Sequence, residues 1–123
     1  MAETDFPDDL RNAQTRLHQA TSELAALCRT LPWSVEPLAG WEGQVHPHTG
    51  DVTGGREDSP GWTEQQKAAV DRLRAECLAL SAAVATHPYW DTVEREKAVD
   101  TRMRLKSVTR PEAVPVVDVE TAA

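Results

Sequence analysis

An all-α fold is predicted: a long antiparallel helical hairpin of coiled-coil type, with a third, shorter helix and a long Trp/Gly/Pro-bearing loop between the first two. Three observations predict it. Leu10, Ala13, Leu17, Ala20, Leu24, Leu27 and Leu31 recur at alternating steps of three and four. Val70, Leu73, Cys77, Leu80, Val84 and His87 do the same, and that rhythm lines one narrow stripe of an α-helix. Residues 32–62, between the two stripes, hold all six glycines and Pro32, Pro37, Pro47 and Pro60, a composition that no helix sustains.

Residues 1–6 read as a tail. Pro7 suits the first helical turn, where its missing N–H needs no partner, and Asp8 and Asp9 follow where the helix dipole favours negative charge. The first helix is expected over about 8–31, ended by Pro32, which disfavours helical geometry in the residue before it. The loop 32–62 shows no apolar period. Trp33, Trp41 and Trp62 oppose a fully disordered reading, because disorder-prone segments are poor in aromatics. Its ends are expected to be pinned and its Gly-rich middle, about 49–59, to be mobile.

Thr63 followed by Gln66 matches a capping box, and the second helix is expected over about 63–87, where Pro88 breaks the pattern. Asp91 with Glu94 suggests another cap, opening a third helix over about 90–108. Trp90, Val93, Val99, Met103 and Leu105 give that helix no clean stripe, and Pro111 stops it. A single domain over 1–110 followed by an extended or disordered tail, 111–123, completes the organisation. With seam positions facing in an antiparallel pair, Ala13 meets Val84, Leu17 meets Leu80, Ala20 meets Cys77, Leu24 meets Leu73 and Leu27 meets Val70. Small residues then oppose larger ones, as close packing prefers.

Ten leucines, twelve valines, one phenylalanine and no isoleucine make up 23 of the 123 residues, near the level at which disorder becomes an alternative. A core this thin favours a covering partner or a homodimer. The net charge of −7 argues against non-specific binding of nucleic acid or membrane by the chain as a whole. No run of about 18 apolar residues exists to span a bilayer, and the acidic N-terminus lacks the apolar core of a secretory signal, so a cytoplasmic address is expected.

Chemistry-bearing motifs are few. Cys28 lies opposite about residue 69 in the expected hairpin, eight residues from Cys77. That is roughly 12 Å along the axis at 1.5 Å per residue, beyond the ~7 Å limit of a disulfide. Both are therefore read as buried, reduced fillers. His46, His48 and Asp51 could chelate from an extended segment, but no further ligand motif supports them. A solvated loop is the reading, with no metal and no cofactor. Thr49–Arg56 is glycine-rich like a phosphate-cradling loop, yet lacks the Lys-Ser/Thr ending and a preceding strand. No nucleophile–base or paired-carboxylate arrangement stands out, and no enzymatic activity is expected.

Two groups of residues remain as candidate binding surfaces. Arg95, Arg102 and Lys106 stand seven and four apart on one helix face, flanked by Arg104 and Arg110. Such a stripe fits an acidic protein surface or phosphates, with a plain solvated face as the competing reading. Tryptophan is enriched at binding hot spots, which singles out Trp33, Trp41, Trp62 and Trp90; the competing reading buries the loop indoles to fold it down. The function expected is that of a non-enzymatic protein–protein interaction module (an accessory subunit, scaffold element or small regulator) acting through helix packing and the Trp-bearing loop. The alternative is a nucleic-acid-associated regulator using the basic third helix.

Overall fold

The computed structural model describes residues 6–111; the acidic tip at Glu3 and Asp5 and the expected tail over 112–123 lie outside them. The described chain is mostly helical, with two long helices, one shorter helix and a small two-stranded sheet. The elements run α1 (Asp8–Cys28), β1 (Gln44–Val45), β2 (Val52–Thr53), α2 (Glu64–Ala85), 3₁₀ turns at Pro88–Thr92 and Arg95–Lys97, and α3 (Ala98–Thr109). They separate into two compact units, residues 6–24 with 73–111 and residues 25–72. Each takes a part of α1 and a part of α2.

In the first unit, Asp8 and Asp9 occupy the opening turn of α1, as helix electrostatics favours. Phe6, assigned to a tail from sequence, is instead buried with Leu10 and Leu105, and Val84, Tyr89 and Trp90 pack against them. The Phe6 and Tyr89 rings meet edge-on at 5.5 Å, and Tyr89 meets Trp90 at 5.4 Å. Pro88 ends α2 but opens a 3₁₀ turn rather than a helix. The expected Asp91 cap is replaced by His87, whose side chain accepts from the Tyr89 amide at 3.0 Å. With Nδ1 so engaged, His87 carries its proton on Nε2 and donates to Asp9 Oδ1 at 3.0 Å,. The third helix therefore starts at Ala98 and not near residue 90. Its buried residues are Thr101, Leu105 and Thr109, one helical turn apart. Val99 and Met103, which gave no clean stripe in the sequence, are exposed. Buried threonines are tolerated because each hydroxyl donates to the carbonyl four residues back, Lys97 at 2.8 Å and Leu105 at 2.7 Å,.

In the second unit α1 ends at Cys28, three residues short of the expected Leu31. The Thr30 and Leu31 amides bond back to Leu27 and Cys28, a tightening into 3₁₀ geometry common at helix ends, and Pro32 follows. Cys28 is exposed and Cys77, in the first unit, is partly covered; both are free thiols. The reading of Cys28 as a buried filler is thus corrected. At the other end, the Thr63–Gln66 capping box is present in both directions. The Gln66 amide donates to Thr63 Oγ1 at 3.0 Å and the Thr63 amide to Gln66 Oε1 at 2.8 Å.

The segment between them is not an irregular loop. It is a narrow antiparallel ribbon whose rungs join Val35 to Trp62, Leu38 to Ser59, Trp41 to Arg56 and Gln44 to Thr53. Val45–Val52 and His46–Asp51 carry the same register to the tip. Each rung moves inward equally on both arms, so no bulge interrupts the pairing. Residues 49–59, expected to be mobile, pair in this ribbon up to Ser59. Glycines let the arms close up. A Cβ at Gly40 would collide with the Arg56 carbonyl oxygen, and Gly61 turns at φ +81° against Pro37, a conformation that favours glycine.

Candidate functional site

Two surfaces emerge, one in each unit. In the first unit the α3 residues Arg102 and Lys106 line a cleft of about 230 Å³ together with Leu17, Val84, Trp90 and Leu105. An adjoining cleft of about 500 Å³ shares Leu17, Ser81 and Lys106 and is lined further by His18, Thr21 and Arg110. The result is a groove with an apolar floor and three cations on one wall, spaced at helical turns. The Arg102 guanidinium lies 5.4 Å from the centre of the Trp90 ring, a cation–π contact. Trp90 is half-buried, and its indole N–H donates to the Val84 carbonyl at 2.6 Å. Among the described residues no carboxylate lies within ion-pairing distance of Arg102, Lys106 or Arg110.

The structure thus divides the basic face read from sequence. Arg102, Lys106 and Arg110 converge on the groove. Arg104 lies over the Phe6 ring at 5.7 Å, and Arg95 sits exposed in the preceding 3₁₀ turn; neither lines the groove. Two charged contacts in the same unit join α1 to α2 and to His87 just beyond its end. Arg16 grips Glu76 with two bonds of 2.6 and 2.7 Å and also reaches Glu23 at 3.0 Å. The Glu76 carboxylate, followed by Glu23, raises the guanidinium still further above its ordinary pKa. The bond from His87 holds the Asp9 carboxyl below its ordinary value.

The second surface is the ribbon. Trp33 donates its indole N–H to Glu57 O at 2.8 Å, Trp41 to Gly54 O at 2.7 Å and Trp62 to Pro32 O at 3.0 Å. Each indole thus ties its own arm to the opposite one or to the ribbon base. Trp33 meets Trp41 edge-on at 5.6 Å, and Arg56 lies 4.9 Å above the Trp33 ring. Trp33 and Trp62 are half-buried, whereas Trp41 keeps 54% of its surface exposed. Leu38, Val45 and Val52 are also more than half exposed, and Val35 nearly so. Among the described residues the ribbon has only two strands, and these apolar side chains stand exposed on it,.

Trp41 and Trp90 were singled out from sequence, but the aliphatic members of both surfaces were missed. Leu17 and Val84 were assigned only to the helical seam. Leu38, Val45 and Val52 looked like loop residues, although a valine or leucine near each arm's glycines was the available signal.

The metal-like trio does not assemble. His46 Nδ1 accepts from the amides of His48 and Thr49 at 3.1 and 3.2 Å, which fixes the ribbon tip. Among the described residues no group of three His, Cys, Asp or Glu side chains is placed to hold a metal ion, and no helix is long and apolar enough to cross a membrane.

No curated protein and no solved structure matches the chain. A family described as a domain of unknown function (DUF8825) matches residues 9–108, and with most of its length inside that match the chain belongs to this family.

Proposed function

We propose that this protein is a non-enzymatic interaction module of the cytoplasm, an accessory subunit or small regulator that binds another protein through its ribbon and its packed helices. The observation that carries the reading is the ribbon itself. It presents Leu38, Trp41, Val45 and Val52 to solvent on a scaffold whose two edges are unpaired among the described residues. Exposed apolar side chains on an open strand edge are what β-augmentation and hot-spot packing use. The reading also takes α1 and α2 as an antiparallel, coiled-coil-like pair. Asp9 bonded to His87 and Thr21 within 3.9 Å of Cys77 support that direction. So does the stripe from Leu10 to Leu31 and from Val70 to His87, every member of which is buried or half-buried.

The test is a photo-crosslinking amino acid at Leu38 or Val45 in the native host. A discrete crosslinked protein, identified by mass spectrometry and lost on Trp41→Ala, is expected. Labelling indistinguishable from that of a crosslinker at the exposed Leu78 of α2 would remove the reading.

The cations of α3 favour a second reading, a nucleic-acid-associated regulator. Its signature is binding to a duplex or single strand that weakens steeply with salt and is lost on Arg102→Glu with Lys106→Glu. The chain's charge of −7 weighs against it.

A further inference from the structure

We infer that the groove and the ribbon are complementary halves of one contact, the ribbon of one copy seating in the groove of a second copy. The inference rests on the ribbon being an interaction surface and adds the surface it meets. Residues 35–59 carry five carboxylates, Glu36, Glu42, Asp51, Glu57 and Asp58, against the single cation Arg56. The groove wall carries Arg102, Lys106 and Arg110, with no carboxylate lining it among the described residues. The ribbon lifts Leu38 and Trp41 into solvent, and no side chain among the described residues fills the groove floor of Leu17, Val84 and Leu105. Apolar meets apolar, and acidic flanks meet a basic rim. That arrangement gives the contact its direction and partner choice.

Charge selects between the ways two copies could meet. Ribbon against ribbon would bring two acidic arms together, and groove against groove would oppose two sets of cations; like-charge contacts of this kind are disfavoured. Groove against ribbon alone satisfies both. Such a contact is heterologous, so each molecule brings one socket and one plug. Glu42 follows Trp41 directly, and Glu57 and Asp58 follow its rung partner Arg56. A Trp41 side chain entering the groove therefore carries three carboxylates towards Lys106 and its neighbours.

The experiment is sedimentation velocity on the full chain at low and moderate salt, with four variants. The unaltered chain is expected to gain mass with concentration, less so at high salt. Lys106→Glu, in the groove, and Leu38→Asp, on the ribbon, should each weaken self-association by at least about tenfold, with unchanged melting curves. Trp41→Ala serves as a second ribbon variant. Mixing the groove variant with the ribbon variant should restore a one-to-one pair, because one intact plug and one intact socket remain.

A chain that stays monomeric at every concentration overturns the inference, as does a mixture that fails to associate when the unaltered chain does. Neutralising the carboxylates beyond residue 111 (Glu112→Gln, Asp118→Asn and Glu120→Gln together) should leave the mass unchanged; a large increase would assign the groove to the chain's own end and overturn it. A monomeric chain that still crosslinks a different protein through Leu38 would sink this inference alone and leave the proposed function standing.

Discussion

Leu10 shows how much one residue carries in a molecule with so few large aliphatics. It is fully buried with Phe6 and Leu105, and Val84, Tyr89 and Trp90 pack against the three. Leu10→Ala is expected to lower unfolding free energy by about 2–5 kcal/mol, read from the urea midpoint. Asp9, one position earlier, makes a contribution that depends on pH. The bond from His87 holds its carboxyl below the ordinary value of 3.8. A depressed carboxyl stabilises the folded state above its unfolded pKa, and that stability disappears as pH falls through the lower folded value. Asp9→Asn should therefore melt earlier than the natural chain at neutral pH. The two melting curves should converge in strong acid; a constant gap across the whole pH range would show that the side chain acts otherwise.

At the level of elements, Gly40 marks where the ribbon's arms are pressed together. Gly40→Ala forces its new methyl group into the Arg56 carbonyl, so the arms must separate. The near-ultraviolet circular dichroism of Trp33 and Trp41, whose rings meet edge-on, is expected to collapse while helical signal at 222 nm (a wavelength set by the peptide bond) persists, roughly a local loss. The two long helices were legible in the sequence because leucines, valines and alanines repeat with the helical period, and Thr63 with Gln66 announces where α2 begins. The ribbon was not. Its rungs at Val35, Leu38, Trp41 and Gln44 recur every third residue, a spacing that matches neither the alternation of a flat strand nor the helical repeat. The buried stripe of α3 escaped for another reason: two of its three residues are Thr101 and Thr109, which hydrophobic patterning counts as polar. The groove was half legible, since its cations stood out while its floor was indistinguishable from seam.

Across the whole molecule, charge and apolar surface are divided unequally. The chain is acidic overall, yet its three groove cations lie without a carboxylate partner among the described residues, while the ribbon concentrates carboxylates and exposed hydrophobes. Of the buried hydrophobic residues described, Leu10, Ala20, Val70 and Leu73 lie on the two helical stripes. Leu24→Asp, placing a charge on a stripe position, is expected to abolish cooperative melting at 222 nm, whereas Leu78→Asp on the exposed face of α2 should change the unfolding free energy by no more than about 0.5 kcal/mol. Equal tolerance of both would remove the packed-stripe account. Because the ribbon keeps one register from base to tip, its length has a grammar. Cutting residues 41–43 together with 54–56 would shorten the arm by one step and leave every remaining bond matched. Cutting either trio alone would put each later pair out of step. Members of this family that differ in arm length should therefore carry insertions and deletions in mirrored triplets, one on the way out and one on the way back.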